Sequence, residues 1–141
     1  MRRGRPQRAL VLVVEDEGLI RIDAADAIER AGFRVLEAST ADQGLTMLEN
    51  RRDIGLVYTD VHLPGSMNGL KLAWLVSQRW PSIKLLLTSG YMIQPMDLPA
   101  GARFCPKPCA DWEIVDAINT LLNGPADDWR STGRGDPLDA C

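Results

Sequence analysis

The strongest constraint on this chain is a repeated switch between short aliphatic runs and stretches of helical periodicity. Residues 10–14 are an unbroken aliphatic run, the pattern of a strand covered on both faces. Ile20, Ala24, Ala27, Ile28 and Ala31 then recur at helical spacing, and Gly32 stands where a helix would end. Residues 33–37 read as a second strand. Thr40 and Gln43 form a capping box ahead of Ala41, Gly44, Leu45 and Leu48, the inner face of a second helix. Residues 54–59 are a third strand ending against Asp60, and after a Pro-Gly turn residues 68–79 read as a third helix. Residues 83–88 and 102–105 supply two more strands. Gly90, Pro95 and Pro99 interrupt the stretch between these two strands, so only a short or distorted fourth helix is expected there. Ile114, Val115, Ile118, Leu121 and Leu122 mark a last helix. Five strand–helix units in this order predict an α/β domain with a doubly wound, five-stranded parallel sheet.

Length and charge narrow the partners. The 141 residues suit one domain, and 45% hydrophobic residues suffice for a core. The aliphatic run at residues 9–14 stops at Glu15-Asp16-Glu17, too soon for a membrane helix of about 20 residues or a signal peptide. A cytoplasmic protein that does not enter the membrane is expected. Arg2, Arg3, Arg5 and Arg8 make residues 1–8 a basic arm. Residues 124–141, with four Asp and two Arg, read as a flexible tail. Within an overall charge of −3, these ends leave residues 9–123 with five net negative charges. An acidic body argues against direct DNA binding. Cys105, Cys109 and Cys141 are odd in number, which suits a reducing compartment. Cys105 and Cys109 have no second pair to complete a metal site and are expected to be buried free thiols. Trp74, Trp80 and Trp112 are read as packing or interface residues.

The chemistry collects at the strand ends, where open α/β sheets bind ligands. Strand one ends at Glu15-Asp16, strand three at Asp60 and strand four at Thr88-Ser89. Lys107 follows strand five. Three carboxylates gathered at one rim repel each other and call for a compensating charge. Mg2+ takes oxygen ligands and is often held by one or two carboxylates together with a phosphate. Lys107 adds a second positive charge and Thr88 a hydroxyl. Such a set suits phosphoryl transfer, with an Asp carboxylate as nucleophile. Glu17 reads instead as an acid favouring the first turn of a helix.

Four segments carry a resemblance: Val14-Glu15-Asp16-Glu17, Thr59-Asp60-Val61-His62-Leu63-Pro64-Gly65, Leu87-Thr88-Ser89-Gly90 and Phe104-Cys105-Pro106-Lys107-Pro108. In this order and near these spacings they resemble the signature blocks of response-regulator receiver domains, over residues 9–123. The resemblance implies the flavodoxin-like receiver fold, with strand order 2-1-3-4-5. It implies Asp60 as phosphoacceptor, and Mg2+ held by Asp16 directly, by Glu15 through water, by Asp60 and by the backbone carbonyl of His62. It further implies Lys107 paired with the acceptor, a cis Lys107–Pro108 bond, and Thr88 and Phe104 as switch residues.

The implied partners are a sensor histidine kinase or a phosphotransfer protein, then a downstream protein on another molecule, with a homodimer possible. The sequence departs from the family pattern at His62 and Gly90, beside the route of an attacking water, and at residues 91–99, which replace a regular fourth helix. The His62 imidazole is expected to face solvent. Two other readings stand beside this one. An aspartyl-phosphate phosphatase or phosphotransferase would need a second acid where His62 stands. A receiver-like binding module would leave Asp60 unphosphorylated.

Overall fold

The computed structural model describes residues 8–124. The strands β1 (Leu10–Val14), β2 (Arg34–Ala38), β3 (Ile54–Asp60), β4 (Lys84–Ser89) and β5 (Arg103–Pro106) alternate with the helices α1 (Gly18–Arg30), α2 (Ala41–Asn50), α3 (Gly69–Arg79) and α4 (Asp111–Asn123). All strand pairs are parallel, in the order β2-β1-β3-β4-β5. This is the doubly wound sheet read from the sequence. Between β4 and β5 the expected distorted helix is a single 3-10 turn, Pro95–Asp97. Pro95 opens that turn, and Pro99 follows two residues after it. Neither proline can donate a backbone hydrogen bond to extend a helix. The basic arm expected over residues 1–8 and the tail expected over 124–141 lie, but for Arg8 and Gly124, outside the described residues.

Side chains on a strand point alternately to opposite faces, so each strand feeds two cores. Leu10, Leu12, Val14, Val57, Leu85 and Leu87 pack with Leu48 of α2 and Leu72, Ala73 and Val76 of α3. Val11, Val13, Leu56, Tyr58 and Leu86 pack with Ala24 and Ile28 of α1 and Ile114, Ala117 and Ile118 of α4. This burial on both faces explains why β1 is aliphatic throughout. The helices start where capping residues permit. Thr40 accepts from the Gln43 amide, Asn68 from the Lys71 amide and Glu17 from the Leu19 amide. Trp80 is half-buried against the first core with the Arg79 guanidinium 4.5 Å over its ring, while Trp112 is 70% exposed.

The cysteine expectation is corrected. Cys105 and Cys109 are not buried free thiols: they are bonded to each other as a disulfide, and both are half-exposed. Their spacing in sequence gives no sign that β5 and the loop ahead of α4 bring their Cα atoms to 6.2 Å, inside the range a disulfide spans.

Gly69, the first residue of α3, lies so close to the end of β3 that a Cβ there would collide with the Asp60 carbonyl and lie 2.8 Å from Thr59 Oγ1. Its amide donates to Val61 O at 2.9 Å. Backbone cannot move aside as a flexible side chain can, so Gly69→Ala is expected to lower stability by about 1–3 kcal/mol or more. Leu86→Ala, at a fully buried position of the second core, is expected to lower it by about 2–5 kcal/mol. Urea unfolding of both variants checks these values. A Gly69→Ala protein as stable as the parent would contradict the close approach.

Candidate functional site

At the carboxyl rim of the sheet, the polar ends of β1, β3, β4 and the segment after β5 converge. Neighbouring β1 and β3 carry Glu15-Asp16 and Asp60, and carboxylate oxygens of these three residues all lie within 4.8 Å of one another. Glu15 and Asp60 are buried and Asp16 is exposed. Lys107 reaches in from the loop after β5. Its Nζ donates to Asp60 Oδ2 at 2.6 Å and lies 3.6 Å from Glu15 Oε1. The other Asp60 oxygen accepts from the His62 amide at 2.9 Å, and Glu15 Oε2 accepts from the Glu17 amide at 3.0 Å.

Backbone pairing sets these positions. The Val61 amide donates to the Thr88 carbonyl, and the Lys107 amide to the Ser89 carbonyl, each at 2.9 Å. The β3, β4 and β5 ends are thereby stitched together just beyond the ladder. The Lys107–Pro108 bond is cis. Thr88 is buried beside the site, and its hydroxyl donates to the Cys105 carbonyl at 2.8 Å. Phe104 is half-buried against the first core. His62 is exposed, as expected, with its ring 4.9 Å from that of Tyr91 in an edge-to-face arrangement.

Burial is the largest influence on Glu15 and pushes its carboxyl above the ordinary value. The Glu17 amide and Lys107 oppose the rise, and the charges of Asp60 and Asp16 add to it. Burial also opposes the charge on Lys107. The hydrogen bond to Asp60 and the charges of Asp60 and Glu15 outweigh it, and the ammonium is held above its usual value. Tyr58, buried beneath the site, is pushed up to about 12, chiefly by burial.

Two supporting residues, Arg21 and Tyr58, carry no mark in the sequence. The Arg21 guanidinium donates to the Glu15 carbonyl at 3.0 Å and pairs with Glu37. Buried Ser89 accepts from the Tyr91 amide. Tyr58, with Thr88, Lys107, Ile20, Ala24 and Ile114, lines a recess of about 450 Å3 between α1 and α4. Arg21 and Tyr58 act through tertiary contacts that no local motif marks, whereas Ser89 bonds within its own turn.

Three carboxylates facing one ammonium leave an excess of negative charge, and hard oxygen donors converge on one small volume. Glu15, Asp16 and Asp60 therefore fit Mg2+, which favours carboxylate oxygen and retains several waters.

The fold and the site together define a doubly wound α/β domain with an acid–lysine centre at its topological rim. The family model described as the response regulator receiver domain matches residues 11–119. The chain belongs to that family and is a receiver domain of two-component response regulators. It is 31% identical over 119 residues to the sensor kinase CckA of Brucella abortus; the match covers 81% of this chain but only 12% of CckA. A response regulator receiver domain protein (CheY-like) from Methanospirillum hungatei superimposes with a TM-score of 0.75 at 26% identity, over 90% of this chain and 100% of that one. TrrA of Thermotoga maritima, solved in complex with Mg2+ and BeF, shares the fold with a TM-score of 0.73 at 24% identity, over 81% of this chain and 99% of that one. Among the described residues, no helix is long and apolar enough to cross a membrane.

Added Mg2+ is expected to raise the midpoint of thermal unfolding, since a ligand that binds only the folded state stabilises it. Glu15→Gln is expected to weaken the ion about 10–100-fold, the usual effect of losing a supporting group around a metal. Calorimetric titration checks this. Unchanged Mg2+ affinity in the variant would remove Glu15 from the site.

Proposed function

We propose that Asp60 accepts a phosphoryl group from a phosphohistidine of a sensor histidine kinase or phosphotransfer protein, and that the phosphorylated domain changes its affinity for a downstream protein. The observation that carries this reading is the Lys107 Nζ contact with Asp60 Oδ2 inside the Glu15–Asp16–Asp60 cluster. An Asp60 oxygen attacks phosphorus, the P–N bond breaks, and its electron pair stays with the departing imidazole nitrogen, which takes a proton. Lys107 holds the acceptor carboxylate in place and then faces the phosphoryl oxygens. Asp16, Asp60, the His62 carbonyl and, through water, Glu15 would hold Mg2+, which would supply the remaining neutralisation of charge.

Thr88 is the switch hydroxyl in this reading. It exchanges its Cys105 carbonyl partner for a phosphoryl oxygen, and Phe104 follows the movement. Phosphorylation need favour the active arrangement by only a few kcal/mol to shift the population. His62 and Gly90 flank the path of hydrolytic water and set the lifetime of the phosphorylated state. The domain turns over no substrate beyond its own phosphoryl group, and residues 9–123 are the unit that does this. It works in the cytoplasm, where its kinase presents phosphohistidine, and its acidic body does not contact DNA directly.

Incubation with a small phosphodonor and Mg2+ is expected to retard the chain on a phosphate-affinity gel. Asp60→Asn is expected to abolish the shift and Lys107→Ala to slow it. No shift in the parent chain, where a control receiver shifts, would overturn the assignment.

A further inference from the structure

Cys105 and Cys109 bracket the site lysine. Cys105 lies in β5 and Cys109 just ahead of the Ala110 cap of α4, so their bond closes a small ring whose other members are Pro106, Lys107 and Pro108. The bonded Cα atoms are 6.2 Å apart, within the span an ordinary disulfide takes. Both residues are half-exposed and within reach of a small thiol reagent. The same ring is tied to the site at three points: Lys107 Nζ to Asp60, the Lys107 amide to the Ser89 carbonyl, and the Cys105 carbonyl to the Thr88 hydroxyl.

A soft metal ion is the competing use of these thiols, because Cys105, Cys109 and Glu113 could offer three ligand atoms within 4.8 Å of one another. Glu113 already accepts from the Ala110 amide at 2.8 Å as a cap of α4. Among the described residues no fourth side-chain donor joins this group, whereas structural zinc takes four. The geometry favours the pair bonded to itself.

We propose that Cys105 and Cys109 are a reversible thiol–disulfide pair whose oxidation holds the Lys107 loop in place and speeds phosphoryl acceptance at Asp60. In a reducing compartment, disulfides are commonly transient and redox-sensing. The oxidant is a small-molecule disulfide of the glutathione class. One cysteine thiolate attacks it, forms a mixed disulfide and releases one thiolate. The second cysteine attacks the protein sulfur of that intermediate, forms the Cys105–Cys109 bond and releases the other. Two protein thiols lose two protons and two electrons, and one small disulfide becomes two thiols. Ring closure removes backbone states from the loop. The ammonium then spends more time on Asp60, and a correctly placed group accelerates the chemical step. The effect on rate rests on Asp60 being the acceptor; the pairing itself does not.

The test uses the full chain carrying Cys141→Ser, equilibrated in glutathione buffers from reduced to oxidised. Free thiols are counted by alkylation and intact mass, and the initial rate of phosphorylation from acetyl phosphate with Mg2+ is measured at each step. The two thiols are expected to disappear together in one transition, with no lasting glutathione adduct, and the rate to rise several-fold across the same transition. Cys105→Ser with Cys109→Ser is expected to hold the rate at the reduced value in every buffer, with an unchanged circular dichroism spectrum. Thiols that stay free, thiols that carry glutathione singly, or uptake of one zinc ion by the reduced chain would overturn the pairing. Phosphorylation at one rate in both states would overturn the gate alone. Pairing without phosphorylation in either state would overturn the gate together with the acceptor assignment.

Discussion

The Lys107–Asp60 contact joins the loop after β5 to the end of β3 at 2.6 Å, and the electrostatics of the rim turn on it. Two buried carboxylates and an exposed third crowd one end of the sheet, where partial burial weakens solvent screening. One ammonium cannot balance all three. The folded domain therefore presents a site in which a carboxylate is positioned and further positive charge is favoured. Receiver chemistry needs that state: a nucleophile held in place, with room for a cation that, together with Lys107, would offset the charge of the carboxylates and of an incoming phosphoryl group.

The rest of the fold keeps this cluster together. Aliphatic β1, β3 and β4 are buried on both faces, so the strand ends cannot shift without disturbing both cores. Gly69 lets α3 begin against the Asp60 carbonyl. Arg21 ties α1 to the Glu15 backbone, and the Val61 and Lys107 amides carry the pairing of β3, β4 and β5 past the last rungs of the ladder. Rigidity in the strands and a short, hydrogen-bonded loop around Lys107 are two halves of one arrangement: the strands fix the acids, and the loop brings the counter-charge.

The sheet and the acid–lysine site were legible because their signals are local. A strand buried on both faces must be aliphatic, and a polar residue at its end stands out, as Glu15, Asp60 and Thr88 do. The capping residues Thr40 and Asn68 mark helix starts for the same reason. Strand boundaries were less legible. Residues 34–38, 84–89 and 103–106 each start and end one residue later than hydrophobicity suggests, and at the carboxyl end ladder pairing such as Ser89 with Pro106 continues where the apolar pattern has stopped. The Cys105–Cys109 bond was missed because a spacing of four is equally compatible with thiols held apart. Arg21 and Tyr58 were missed because their contacts come from packing between separate elements. Between β4 and β5, the prolines predicted the loss of a regular helix, and a single 3-10 turn remains.

The most direct test of the central claim is chemical mapping of the phosphorylated residue. An acyl phosphate is reduced by borohydride to the corresponding alcohol, so the chain is phosphorylated with Mg2+ present, reduced and digested for peptide mass analysis. The account predicts homoserine at residue 60 and at no other position. Homoserine at residue 16, 5-hydroxynorvaline at residue 15, or a phosphoryl group retained on a histidine or serine after reduction, would contradict it.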